Sequence, residues 1–157
     1  FDLGSGIGQV VLQVAATTGC RALGIELMDN PAECATAMLP AFRTSLRRWG
    51  RELQQEPSLI HGNFFECDEL KEATVIFVNN FAFPVALSQQ LGAHIAAVCQ
   101  AGTRVLSYKD MIPTGRRHNS RRREDGALHE IGREKSPGDG VSWMTGPVEC
   151  ISYVVPE

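Results

Sequence analysis

The chain has 157 residues, an apolar content of 43% and a net charge of −3. That length supports one domain with a real core, and the composition carries no disorder signature. The acidic balance argues against a globally basic nucleic-acid binder, and no run of about 18 apolar residues or signal peptide is present to suggest a membrane span or export.

The first nine residues, Phe1 to Gln9, read as a strand end and a tight glycine turn, and the apolar run Val10–Ala16 reads as the helix that follows. Glycine admits positive φ and close ligand approach, and a helix N-terminus offers free N–H groups. Gly4, Gly6 and Gly8 are spaced G-x-G-x-G, one residue short of the dinucleotide fingerprint G-x-G-x-x-G. Asp2 would repel a phosphate but suits a cationic amino group. The pair of features points away from NAD and towards S-adenosylmethionine (SAM).

The first helix is expected to close near Gly19 and, being apolar on nearly all sides, to lie under a sheet. Arg21–Glu26 reads as a short buried strand, with Glu26 placed to accept hydrogen bonds from both ribose hydroxyls. Asn30, Pro31 and Glu33 form a helix-start signature, and the helix should run to about Gly50 with a kink or break at Pro40. Arg43, Arg47 and Arg51 share one face of it, best read as solvated. Leu59–His61 reads as the third strand. Asn63 and Phe64 after it suit an adenine, one by hydrogen bonding and the other by covering the ring, and plain core packing fits Phe64 equally well.

Ala73–Val78 is the clearest strand, and Asn79 and Asn80 at its carboxyl end should face the cofactor methyl and the substrate. Phe81 and Phe83 would wall a narrow apolar channel. A helix over Val85–Val98 and a strand over Arg104–Tyr108 complete an alternation that implies a parallel, doubly wound α/β sheet. From Pro113 to Gly140 periodicity fades, and this stretch reads as a long functional loop carrying the basic island Arg116–Arg123. Val141–Trp143 and Val148–Val155 read as closing strands, with an antiparallel final pair. The five cysteines lack C-x-x-C spacing and read as reduced, mostly buried thiols of an intracellular protein. The four histidines are scattered, and no metal is expected.

Three segments, Asp2–Ala16, Val75–Phe83 with its string V-N-N-F-A-F, and Val141–Trp143, together resemble the catalytic domain of Dot1-type histone H3 lysine-79 methyltransferases. The resemblance spans most of the chain and weakens between Lys109 and Gly140. It implies a Rossmann-like, seven-stranded SAM-dependent methyltransferase fold, mostly parallel with an antiparallel final strand, rather than a SET domain. It implies a nuclear chromatin regulator with a nucleosomal lysine as substrate, no membrane and no metal.

Residue by residue, it puts Asp2, Gly4, Gly6 and Gln9 at the methionine end and turn of SAM, Glu26 at the ribose, and Asn63 and Phe64 at the adenine. Asn79 falls beside the transferring methyl, and Phe81 and Phe83 near the lysine channel. Arg117 and Arg121 match arginines that reach the nucleosome acidic patch.

Two positions depart from the family pattern. Asn63 stands where an Asp is usual, and Cys150 where a channel tyrosine is expected, with Tyr153 three residues too late to replace it. The chain starts without Met and inside a strand, so it is expected to be a piece lacking the helical segment that gives the family its lid. Residues 1–157 alone are therefore expected to fold poorly and bind SAM weakly. Two alternatives stay open: a SAM-dependent methyltransferase of another protein or a small molecule, and a non-catalytic nucleosome-binding domain.

Overall fold

The computed structural model describes residues 1–113, 127–136 and 145–157. Two compact units emerge, Phe1–Cys67 and Asp68–Glu157. The first unit holds three parallel strands and the second four strands with an antiparallel final pair, as expected of a mostly parallel α/β fold.

In the first unit, β1 (Asp2–Leu3), β2 (Leu23–Glu26) and β3 (Ser58–His61) run parallel, joined by helices α1 (Gln9–Thr18) and α2 (Asp29–Arg48). Parallel neighbours require such crossovers. Although α1 is apolar nearly all round, it buries only the stripe Val11, Leu12 and Ala15, and leaves Val10 and Val14 exposed. Val11 and Ala15 pack with Ala22 against Leu53 and Leu59.

Helix α2 departs from expectation at two points. It begins at Asp29 rather than after an Asn30 cap, and its first free N–H, on Met28, is taken by Glu26 Oε1 at 2.8 Å. Pro40 lies inside the helix without ending it. Both Pro40 and Thr36, whose carbonyl loses its partner, face solvent, so water can satisfy the freed group. As expected of a solvated face, Arg43 is partly exposed and forms a surface ion pair with Glu56 at 2.7 Å.

In the second unit, β4 (Val75–Val78) pairs in parallel with β5 (Arg104–Ser107), and α3 (Val85–Val98) connects them. β7 (Glu149–Val154) then runs antiparallel to β5, and β6 (His129–Lys135) antiparallel to β7. The core face of this sheet is Ile76, Val78, Val105, Ser107, Ile151 and Tyr153, each at most 1% exposed. Gly92 lets α3 approach the chain after β5, since a Cβ there would lie 2.3 Å from the Met111 carbonyl oxygen.

Strand β6 corrects the reading of residues 113–140 as one long loop. Its sequence HEIGREK has no apolar alternation, because it is an edge strand with mostly exposed side chains and a bulge between Glu130 and Gly132. Charge holds it instead: Arg133 binds Glu130, Glu149 and Asp110 together. Charged edge strands resist pairing with other chains. The expected strand Val141–Trp143 and the basic island Arg116–Arg123 lie outside the described residues. The thiols are also less sheltered than expected: Cys99 alone is buried, Cys67 and Cys150 are half-buried, and Cys20 and Cys34 are exposed.

Candidate functional site

In the first unit, the glycine turn sits where β1 meets α1. Gly4, Gly6 and Gly8 all take left-handed φ values, 78°, 55° and 82°. The turn is tied to β2 by hydrogen bonds from the Gly4 and Ser5 amides to the Ile25 carbonyl, at 2.9 and 3.0 Å. Gly8 carries the most demanding position, for it combines a positive φ with a Cβ direction that runs 2.7 Å from Leu59 Cδ2. The structure adds Gly24, which sequence reading passed over: a side chain there would collide with Val11 and Ser5. The absence of a side chain in a short strand was the available signal.

Two carboxylates flank the turn. Asp2 is 5% exposed, and its Oδ1 has no hydrogen-bond partner. Burial pushes its carboxyl up to about 7, opposed by the Phe1 ammonium and reinforced by the Glu26 charge. An unpartnered buried oxygen is costly. A cationic donor would satisfy it, so the residues present fit the amino end of SAM.

Glu26 is half-buried, and its oxygens accept from the Gly6 amide at 2.8 Å and the Met28 amide at 2.8 Å. It therefore braces the glycine turn against the start of α2. Each carboxylate oxygen accepts two hydrogen bonds, so capacity for ribose hydroxyls remains. Gln9 is exposed at the first position of α1.

Asn63 follows β3. Its Oδ1 accepts from the Phe65 amide at 3.1 Å, and its Nδ2 donates to Glu66 at 3.2 Å, so it caps the 3-10 turn Phe64–Glu66. Phe64 is half-buried and packs edge-on to Phe65 with ring centroids 4.7 Å apart. The first unit thus brings Asp2, Gly4, Gly6, Glu26, Asn63 and Phe64 to the carboxyl ends of parallel strands, where open α/β sheets bind ligands.

In the second unit the two adjacent amides divide in role. Asn79 is half-buried at the end of β4, and its side chain makes no hydrogen bond among the described residues. Asn80 does not face a ligand, which corrects the expectation. It is fully buried; Oδ1 accepts from the Tyr108 and Lys109 amides at 3.0 and 2.9 Å, and Nδ2 donates to the Lys109 carbonyl and to Ser88. It ties the turn after β4 to the turn after β5 and to α3. Phe81 is 39% exposed, with the Lys109 ammonium 5.2 Å from its ring centroid, while Phe83 is half-buried. Such a cation–π contact holds Phe81 in place. Arg117 and Arg121 lie outside the described residues.

The sequence comparisons with known proteins agree on a family. The sequence profile described as "Histone methylation protein DOT1" matches residues 1–154. A histone-lysine N-methyltransferase, H3 lysine-79 specific, from Drosophila melanogaster is 36% identical over 161 aligned positions, covering 99% of this chain and 8% of that protein. Its namesake from Aspergillus fumigatus is 36% identical over 124, covering 76% and 24%. The chain therefore spans about a quarter or less of the length of these curated relatives. Among solved structures, an RNA methyltransferase from Salinibacter ruber in complex with S-adenosyl-L-homocysteine shares the fold. Its TM-score is 0.61 at 24% identity, covering 99% of this chain and 79% of that one.

Proposed function

Because the chain belongs to the DOT1 family of histone methylation proteins, we propose that it is the catalytic segment of a nuclear histone-lysine N-methyltransferase. In this reading it transfers the methyl group of SAM to lysine 79 of histone H3 in nucleosomes. The observation that carries the reading is the buried, unpartnered Asp2 Oδ1 beside a glycine turn braced by Glu26. A phosphate ligand would be repelled there, and a cationic amino acid end would be held.

Bound SAM supplies a sulfonium methyl open to in-line displacement. Asp2 holds the amino group, the turn Gly4–Gly8 and Gln9 admit the carboxylate end, and Glu26 accepts from the ribose. Asn63 and Phe64 take the adenine, with Asn63 supplying hydrogen bonding but no charge. Asn79 directs its free amide at the reacting end, and Phe81 and Phe83 exclude water from the acceptor lysine. Exclusion of water favours the neutral amine, since burial disfavours the ammonium. Arg117 and Arg121 meet the acidic patch of the nucleosome and set which lysine arrives.

The test is methyl transfer by the full-length protein on nucleosomes and on free histone H3. Transfer to nucleosomes that disappears with Gly4→Arg and with Asn79→Ala supports the reading. Activity confined to a small molecule, or undiminished in either variant, overturns it.

A further inference from the structure

Strands β4, β5 and β7 bring one unassigned side chain to the acceptor end of the second unit. Val78 pairs with Ser107, and Ser107 with Ile151. Asn79 and Tyr108 directly follow the last paired residues of β4 and β5, and Cys150 directly precedes Ile151 in β7, so continuing the register would bring the three side by side. Side chains alternate between faces along a strand, and directly opposed ones on one face are in contact range. Val78, Ser107 and Ile151 are core residues, so this row takes the other, half-buried face.

One contact places the Tyr108 ring there. It packs edge-on to Phe77, which shares that face of β4 with Asn79, with centroids 5.7 Å apart. Burial raises the phenol pKa, and the Cys150 charge raises it further. The phenol therefore keeps its proton and is no general base.

We propose that Tyr108 is a wall of the acceptor-lysine channel, and that its phenol oxygen, beside the Asn79 amide, accepts a hydrogen bond from the substrate amine. The proposal rests on the reading of Asn79 as the active-site amide. Accepting from an amine N–H leaves the nitrogen lone pair free to attack. The ring also occupies room that added methyl groups would need, so it limits the methylation state. Cys150 is small where the family resemblance implies tyrosine, and Tyr108 offers a ring from the neighbouring strand's end. Bulk has moved by one strand, and the channel keeps one phenol.

The test uses the full-length protein on nucleosomes with Tyr108→Ser, Cys150→Tyr, the double variant and Tyr108→Phe, with SAM affinity measured for each. Misplacing a reacting group by about 1 Å costs on the order of a hundredfold in rate. Each of the first two variants is therefore expected to lose tenfold or more in kcat (about 10- to 100-fold) with unchanged SAM affinity. The double variant should regain activity to within about threefold of wild type, the non-additivity expected of contacting residues. Tyr108→Phe, which keeps the ring and is expected to fold, should lower kcat without weakening SAM. Wild-type kcat and product distribution in Tyr108→Phe, or a double variant as impaired as the product of the singles, overturns the proposal. A wild type that transfers no methyl to nucleosomes overturns the functional reading as well.

Discussion

Protonation of Asp2 should control SAM affinity. In the ligand-free chain burial lifts this carboxyl from its ordinary 3.8 to about 7. A cationic amino group against the unpartnered Oδ1 would favour the ionised form and release the proton. If binding selects ionised Asp2, affinity scales with the ionised fraction: about one half at pH 7, one eleventh at pH 6 and one hundredth at pH 5. SAM binding by the full-length protein should thus weaken about fivefold from pH 7 to pH 6 and about fiftyfold from pH 7 to pH 5. Above about pH 8 the ligand's own amino group loses its proton, so affinity passes through a maximum between the two values.

The stability of the ligand-free chain carries the opposite sign. Between about pH 4 and pH 7 the folded chain holds a proton that the unfolded chain has lost, so ligand-free stability from this group falls as pH rises. Bound SAM should remove that slope. Isothermal titration across pH, in buffers of different ionisation enthalpy, reads both the affinity and the released proton. An affinity that is flat from pH 5 to pH 7, or an Asp2→Asn variant with the wild-type slope, would refute the assignment of Asp2 to the amino end.

Two further substitutions test the scaffold by chemical denaturation of the full-length protein. Gly6→Ala and Gly8→Ala both force a left-handed alanine, at a cost of roughly 1–2 kcal/mol each, but only Gly8 has Leu59 in the way. Gly8→Ala should be the more destabilising, and Leu59→Ala should close the gap between them; equal losses in the unaltered background would count against the packing argument. Asn80→Ala strands the Tyr108 and Lys109 amides. At roughly 1–3 kcal/mol for each buried unsatisfied group, it should cost about 2–6 kcal/mol, and a loss under 1 kcal/mol would show that Asn80 is not the tie it looks.

Much of the chain is local in origin and was therefore legible in order. Glycine spacing and the preceding acid fix the turn, because only glycine takes three left-handed positions in five residues without strain. The β-branched run Val75–Val78 and the helix Val85–Val98 follow from local propensity and appear where expected. The specific string at Val78–Phe83 is enough to name the family. Strand β6 was not legible, because an edge strand held by Arg133 and three carboxylates needs no apolar alternation.

Other features depend on partners distant in sequence. Asn79 and Asn80 are chemically identical and adjacent; only the turn after β5, with its Tyr108 and Lys109 amides, decides that Asn80 is structural and Asn79 is left available. Pro40 reads locally as a break, yet the exposed side of α2 tolerates it. The sequence by itself determined the glycine turn and the order of elements as far as β5, since both follow from short-range backbone chemistry. Only the tertiary structure decided that Asp2 is an unsatisfied buried acid, that Glu26 braces the turn, and that Tyr108 packs against Phe77. Burial and cross-strand register are properties of residues brought together by folding, and neither is written in any one segment.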